Sequence, residues 1–109
     1  MGLMQNWVGR VWLNPPYGKE TGYWLDKLRL HGNGIALVFA RTDTTYFQEY
    51  VFKVADAIFF IAGRLKFYHV NGEEAKSSAG APSVLIAYGK NNIDCLNNIP
   101  IKGKLLIIK

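Results

Sequence analysis

The residues best suited to chemistry are four in a row, Asn14, Pro15, Pro16 and Tyr17, which follow the apolar residues 11–13. The apolar residues predict a short buried strand, and the prolines must end it, because proline lacks an N–H and has a fixed φ. The Asn14 side-chain oxygen and the Pro15 carbonyl can each accept one N–H of an amino group on a flat ring. Such acceptors draw the nitrogen lone pair out of conjugation, and Tyr17 can stack on the ring. The alternative is an ordinary proline turn after a strand.

The elements after the turn must place it at an edge of a sheet where a ligand can bind. Thr21 is expected to cap a helix over about 21–31, and Gly32 to end that helix in the left-handed conformation. Residues 35–39 form a continuous apolar run, which is typical of a strand covered on both faces. A strand, a helix and a strand imply a right-handed parallel crossover. The carboxyl ends of both strands then lie at one edge, where open α/β sheets bind ligands.

The rest of the chain predicts a mixed α/β sheet. The patterns predict a helix over about 44–54, capped by Thr42 or Asp43, and then a third strand at 57–62 that continues to 67. A loop at 68–81 and a fourth strand at 83–88 follow. The chain is then expected to turn at 89–92 and to end in an edge strand at 104–109. The fourth strand should run antiparallel to the third, because no helix separates them. The predicted sheet therefore carries an antiparallel hairpin toward its C-terminal end.

Composition limits the class of protein. The chain has 109 residues, which is enough for a single domain over 1–109, and half of the residues are hydrophobic. Its longest uncharged apolar runs are far short of the roughly 18 residues that a membrane span needs. A single cysteine, Cys95, excludes an internal disulfide, and the isolated His31 and His69 predict no metal site. The net charge of +5 favours a polyanionic partner such as nucleic acid.

Four ordered blocks of sequence resemble the phage-type DNA N-6-adenine methyltransferase (Dam-like) family. The first block consists of residues 2–7 and 11–18 together, and the other three are residues 40–44, 63–67 and 81–83. The resemblance implies a class I (Rossmann-like) methyltransferase fold, S-adenosylmethionine as the methyl donor and an adenine of double-stranded DNA as the acceptor. It also implies that the protein is located in the cytoplasm of a bacterial host or phage-infected cell. Its biological role would be one such as restriction-modification, masking of phage DNA or regulation.

The resemblance implies a role for each site residue. A duplex adenine is flipped into the pocket, as base-modifying enzymes require. Asn14 and Pro15 hold its amino group while Tyr17 stacks on its ring. Arg41 and Asp43 follow a strand end and can face the same pocket. We expect Arg41 to contact phosphate or base and Asp43 mainly to cap the helix.

A second group of candidates lies in the block at 63–67. Arg64 and Lys66 alternate with Leu65 and Phe67, so the two basic side chains share one face of the expected strand. Arg64 and Lys66 are candidates for contact with the DNA backbone, and Phe67 for the wall of the pocket. The alternative is a solvated strand face with Phe67 in the core.

The sequence departs from the family at its N-terminal end. Class I methyltransferases hold the cofactor with a first strand, a glycine-rich turn and an acidic residue, and the family has these elements upstream of the Gly2-Leu3 block. This chain therefore resembles the target-base half, and the strand at 11–13 is expected to have an unpaired edge that favours dimerisation. Two alternatives stay open: a non-catalytic DNA-binding fragment, and a methyltransferase of protein glutamine side chains, which also uses Asn-Pro-Pro-Tyr.

Overall fold

A computed structural model describes residues 7–63 and 81–109. The described elements are β1 (Val11–Leu13), α1 (Thr21–His31), β2 (Gly34–Phe39), α2 (Thr45–Phe47), a π-helical segment (Gln48–Phe52), β3 (Ala57–Ile61), β4 (Ser83–Tyr88), α3 (Asn91–Asn97) and β5 (Gly103–Ile107). The α/β class predicted from the sequence is confirmed. The candidates Arg64, Lys66 and Phe67 lie outside the described residues.

The five described strands form one mixed sheet in the order β1-β2-β4-β3-β5. β1 and β2 pair in parallel, with Val11 opposite Gly34, which confirms the predicted parallel pair. β4 lies between β2 and β3 and is antiparallel to both, so the predicted antiparallel pair is also confirmed. β5 pairs with β3 at one edge, and β1 forms the other. The strand that precedes Asn14 is thus an edge strand, as expected.

Helices cover both faces of this sheet. Consecutive residues of β4 alternate between the faces: Val84 and Ile86 belong to a core with α1 and α2, and Leu85 and Ala87 to a core with α3. Leu25 and the other buried residues of the first core are fully enclosed, and every residue of β4 is buried. The central strands are therefore fixed from both sides, while β1 pairs with one described strand, β2, and contributes Val11 to the first core.

The first helix matches its predicted range, but Thr21 does not cap it. Glu20 occupies the N-cap position, and Thr21 is the first residue of α1. The Thr21 hydroxyl donates instead to the carbonyl of Pro16 at 2.7 Å, so the side chain serves the diproline turn rather than the helix. Gly32 ends the helix at φ 76°, the left-handed conformation that the sequence predicted.

The second helix begins at a different cap and is partly π-helical. Asp43 and Thr42 were both expected to cap it, but Thr44 occupies the N-cap position. The Thr44 hydroxyl donates to the carbonyl of Arg41 at 2.7 Å, which closes the loop one residue later than predicted. The expectation that Asp43 caps the helix is therefore wrong, and the Asp43 side chain is exposed.

Two further expectations need correction. β3 ends at Ile61, and residues 62 and 63 form a bend, because Gly63 has φ 81°. The predicted turn at 89–92 is confined to residues 89 and 90, because α3 begins at Asn91, runs to Asn97 and buries Leu96 in the second core. The expected loop at 68–81 falls almost wholly outside the described residues.

Candidate functional site

The diproline turn lies at the carboxyl end of β1 and is tied to α1. Pro15 is buried, whereas Asn14, Pro16 and Tyr17 are exposed. The buried hydroxyl of Thr21 donates to the carbonyl of Pro16, which fixes the turn to the first residue of the helix. The turn is therefore rigid on its inner side and open to solvent at Asn14 and Tyr17.

The ring of Tyr17 stacks on the ring of Phe39, the last residue of β2. The ring centroids are 4.4 Å apart and the planes differ by 14°. Tyr17 is nevertheless 47% exposed, so a large part of this residue stays open to solvent beside the stacked pair of rings. Burial raises the pKa of the Tyr17 hydroxyl, an effect that a backbone hydrogen bond at Phe39 and the charge of Arg41 oppose. The side chain is thus a neutral aromatic surface at physiological pH.

Arg41 lies beside the same pair of rings. Its guanidinium carbon is 5.5 Å from the centroid of Phe39, within the range of a cation–π contact. The hydroxyl of Tyr46 donates to the Phe39 carbonyl at 3.0 Å, which brings a second tyrosine to the end of β2. Burial also raises the pKa of Tyr46, assisted by the nearby Tyr17. The ends of β1 and β2 therefore converge as predicted, with a cation and aromatic rings at one place.

These side chains line a cavity of about 480 Å³ between α1 and α2, here called the tyrosine cavity. Its lining residues are Tyr17, Gly18, Lys19, Thr21, Gly22, Tyr23, Arg41, Thr44, Thr45, Tyr46 and Tyr50. Among the described residues, the lining includes two cations and no carboxylate, and Asp43 is not part of it. Tyr17 and Arg41 therefore share one cavity, as predicted, and Asp43 stays on the surface.

Asn14 lines a different cavity, on the other side of the turn. This second cavity measures about 320 Å³ and is mostly apolar, with Trp12, Leu37 and Leu85 in its wall, and it is called the Asn14 cavity below. Trp12 is 57% exposed, so much of its indole is open to solvent. The structure thus places Asn14 and Tyr17, three residues apart in one turn, in the linings of two neighbouring cavities.

Sequence reasoning missed Phe39 and the two tyrosines of the second helix. Phe39 was assigned only as the end of a buried strand, and Tyr46 and Tyr50 only fell within the range of the second helix. Phe39 did carry a signal, because it is an aromatic residue at the carboxyl end of a parallel strand, where ligands bind. Tyr46 gave no such signal in the sequence, because its contact with Phe39 depends on how α2 packs against the end of β2.

Residues 7–63 and 81–109 contain neither a candidate membrane span nor a candidate metal site. No helix in these ranges is long and apolar enough to cross a membrane. These ranges also contain no group of three or more His, Cys, Asp or Glu side chains placed to hold a metal ion.

Comparison with known proteins gives one match. A family model described as DNA N-6-adenine-methyltransferase (Dam) matches residues 2–98, which is most of the chain. No curated protein matches, and no solved structure matches. The match spans both flanks of the diproline turn and all of the sheet except β5.

Proposed function

Because the chain belongs to the DNA N-6-adenine-methyltransferase (Dam) family, we propose that it transfers a methyl group from S-adenosylmethionine to the N6 atom of a flipped adenine in double-stranded DNA. The observation that carries this proposal is the turn itself. Asn14 and Tyr17 are exposed at the carboxyl end of β1, while Pro16 is anchored to α1 through Thr21. A turn that served only to end a strand would not need an exposed amide beside an exposed ring.

The turn can hold an aromatic amine in a reactive arrangement. The Asn14 side-chain oxygen and the Pro15 carbonyl each accept one hydrogen of the adenine amino group, so its lone pair is directed away from the turn. Tyr17 stacks on the adenine ring with the face that Phe39 does not cover. Held in this way, the amino nitrogen would direct its lone pair at the methyl group that the bound donor would supply, and the amine would release one proton to solvent. Catalysis in this scheme comes from positioning rather than from a strong base.

S-adenosylmethionine supplies an electrophilic methyl group when it is bound, and the Asn14 cavity fits part of it. The exposed indole of Trp12 offers a flat apolar surface, and the amide of Asn14 offers a hydrogen-bonding group. Within residues 7–63 and 81–109, no charged side chain lines this cavity. Trp12 and Asn14 would therefore hold an apolar portion of the cofactor, and its charged amino-acid portion would extend beyond the cavity.

Charge and aromatic surface support DNA as the substrate. The chain carries a net charge of +5, and Arg41 and Lys19 lie at the rim of the turn. Cations at such a site bind phosphates, and an exposed tyrosine ring can stack on an extruded base. The class I methyltransferase fold is part of the proposal, and the mixed α/β sheet supports it.

The proposal is tested by incorporation of labelled methyl into unmethylated duplex DNA. Wild type, Asn14→Ala and Asn97→Ala are compared, since Asn97 is an exposed asparagine on α3 that lines neither cavity. We expect N6-methyladenine with wild type and Asn97→Ala and a large loss with Asn14→Ala. Equal incorporation by all three chains would remove Asn14 from the mechanism. A glutamine-bearing peptide offered in parallel tests protein methylation, and methylation of that peptide alone would exclude DNA as the substrate.

The uncharged lining of the Asn14 cavity favours a second candidate, a chain that binds DNA without catalysis. The charged amino-acid portion of S-adenosylmethionine has no counter-charge in that lining. Calorimetry separates the two candidates: heat of binding with S-adenosylmethionine supports the enzyme, whereas DNA binding without any cofactor binding supports the non-catalytic chain.

A further inference from the structure

The two prolines of the turn do not by themselves fix the position of Tyr17. The proline ring fixes φ at Pro15 and at Pro16, but it leaves ψ free to rotate. Rotation about ψ of Pro16 changes both the direction of the Pro16 carbonyl and the path of the chain into Tyr17. A group that holds this carbonyl therefore also holds Tyr17 relative to Asn14.

Thr21 holds the Pro16 carbonyl. Its hydroxyl donates to that carbonyl at 2.7 Å, and its backbone N–H donates to the carbonyl of Gly18 at 3.3 Å. Two donors of one residue thus close the short segment that carries Tyr17. Thr21 is 1% exposed, so water has little access to compete for the hydroxyl.

We propose that Thr21 is a positioning residue, whose hydroxyl fixes ψ of Pro16 and so holds the ring of Tyr17 in place beside Asn14. The inference rests on the proposed methyl transfer and deepens it. Thr21 lines the tyrosine cavity, but its hydroxyl proton is committed to Pro16 and almost none of its surface is open to a ligand. It therefore acts through Tyr17 rather than by touching the substrate.

The stack of Tyr17 on Phe39 needs this second constraint. Phe39 is itself well held, because its carbonyl accepts from the backbone N–H of Arg41 at 2.8 Å and from the hydroxyl of Tyr46 at 3.0 Å. Stacked rings are nevertheless stable over a range of offsets, so the contact between the rings leaves freedom to slide. The bond from Thr21 fixes the chain at the other end of the tyrosine and removes that freedom.

The test compares Thr21→Val, which keeps nearly the shape of threonine without the hydroxyl, with Thr21→Ser, which keeps the hydroxyl. Backbone ¹⁵N relaxation reports the order of the turn without any ligand. The order parameters of the Tyr17 and Gly18 amides should be about 0.85 in wild type and Thr21→Ser and fall below about 0.6 in Thr21→Val.

Methyl transfer to duplex DNA is measured on the same chains. In Thr21→Val, kcat should fall by about 10–100-fold, since a misplacement of about 1 Å can lower a rate by about 100-fold. KM for DNA should change less, because phosphate contacts dominate the affinity for DNA. Thr21→Ser should restore kcat to within a few-fold of wild type. Asn92→Ala controls for lost stability, because it removes bonds at the opposite end of the sheet and should leave the order of the turn and kcat as in wild type.

Three results would overturn the proposal: a turn in Thr21→Val as ordered as in wild type, equal losses in Thr21→Ser and Thr21→Val, or an unchanged kcat in a Thr21→Val chain whose turn has become mobile. If Thr21→Val does not fold, wild type decides, because a Thr21 hydroxyl proton that exchanges as fast as that of free threonine also overturns the proposal and a protected one supports it. A wild-type chain that does not methylate DNA would refute the proposed function, while the relaxation data still decide whether Thr21 orders the turn.

Discussion

The two ends of the sheet both carry asparagine side chains, which are bonded within the fold at one end and exposed at the other. At the end where β2 starts, Asn92 is 0% exposed, and its amide donates to the Asn33 side chain at 3.0 Å and to the Tyr88 carbonyl at 2.8 Å. The Asp56 carboxylate accepts from the backbone N–H of Gly89 at 2.7 Å. Asn92 is enclosed and Asn33 and Asp56 are partly buried, and all three side chains are hydrogen-bonded within the fold, although the side-chain oxygen of Asn92 accepts no hydrogen bond from the described residues.

The opposite end, where β1 and β2 finish, has a different character. Asn14, Tyr17 and Arg41 are exposed, and they surround two cavities rather than filling them. Buried polar groups cost stability unless they are bonded, whereas exposed ones cost little and stay available to a ligand. The contrast teaches that the same residue type, asparagine, serves the fold at one end and is free for chemistry at the other.

The comparison is tested most strongly by truncating one asparagine at each end. Asn14→Ala should reduce methyl transfer by about 10²–10³-fold, the usual cost of losing one positioned hydrogen-bonding group, and leave the unfolding free energy unchanged. Asn92→Ala should lower the unfolding free energy by about 2–3 kcal/mol, because it removes bonds inside the core. Methyl-transfer assays and urea denaturation measure the two effects. The contrast fails if Asn14→Ala destabilises the chain as much as Asn92→Ala does.

Substitutions of Tyr17 test whether the exposed end of the sheet binds DNA through the tyrosine ring. Tyr17→Ala removes the stacking surface and should weaken DNA binding by about 10–100-fold, since stacking on one base contributes about 1–3 kcal/mol. Tyr17→Phe keeps the ring against Phe39 and should bind within a few-fold of wild type. Fluorescence anisotropy with labelled duplex DNA measures both variants. If Tyr17→Phe loses as much affinity as Tyr17→Ala, the hydroxyl and not the ring is the important group.

Alkaline pH should lower the free energy of unfolding through Tyr88, which lies at the end of the sheet where β2 starts. Burial raises the pKa of Tyr88 above its ordinary value of 10.0, and its hydroxyl donates to the carbonyl of Tyr50. Above pH 10 the unfolded chain releases this proton while the folded chain keeps it, so stability is full below pH 10 and falls as the pH rises. The slope should approach about 1.4 kcal/mol per pH unit for this one group. Urea denaturation of wild type and Tyr88→Phe between pH 9 and about 11.5 measures it, and an equally steep fall in both would assign the slope to another group.

The smallest effect concerns Arg41. Arg41→Ala should reduce the slope of log affinity for DNA against log salt by about 1 and weaken binding only a few-fold, without sequence preference. The matched control is Lys53→Ala, which removes an equal charge outside the cavity and should leave the slope as it is. Anisotropy titrations at several salt concentrations measure the slope. An Arg41→Ala chain that loses sequence preference instead would make Arg41 a base contact.

Local patterns predicted the elements that depend on few neighbours. The strand at Val11–Leu13 and the stop at Pro15 follow from apolar runs and proline chemistry, and the antiparallel pair follows from the missing helix between strands. Helix α3 was missed because its sequence is rich in asparagine and has low helix propensity. Burial of Leu96 against the sheet stabilises it, and that contact is not visible in the local sequence.

The sequence by itself determined the turn: an asparagine, two prolines and a tyrosine after three apolar residues, with no freedom to continue the strand. Only the tertiary structure decided what surrounds it. It placed Phe39 under the ring of Tyr17 and brought α2 across to form the tyrosine cavity. It also separated Asn14 from Tyr17 into two cavities. The physical reason is that proline restricts φ within its own residue, whereas a cavity wall is assembled from side chains that the packing of distant elements brings together.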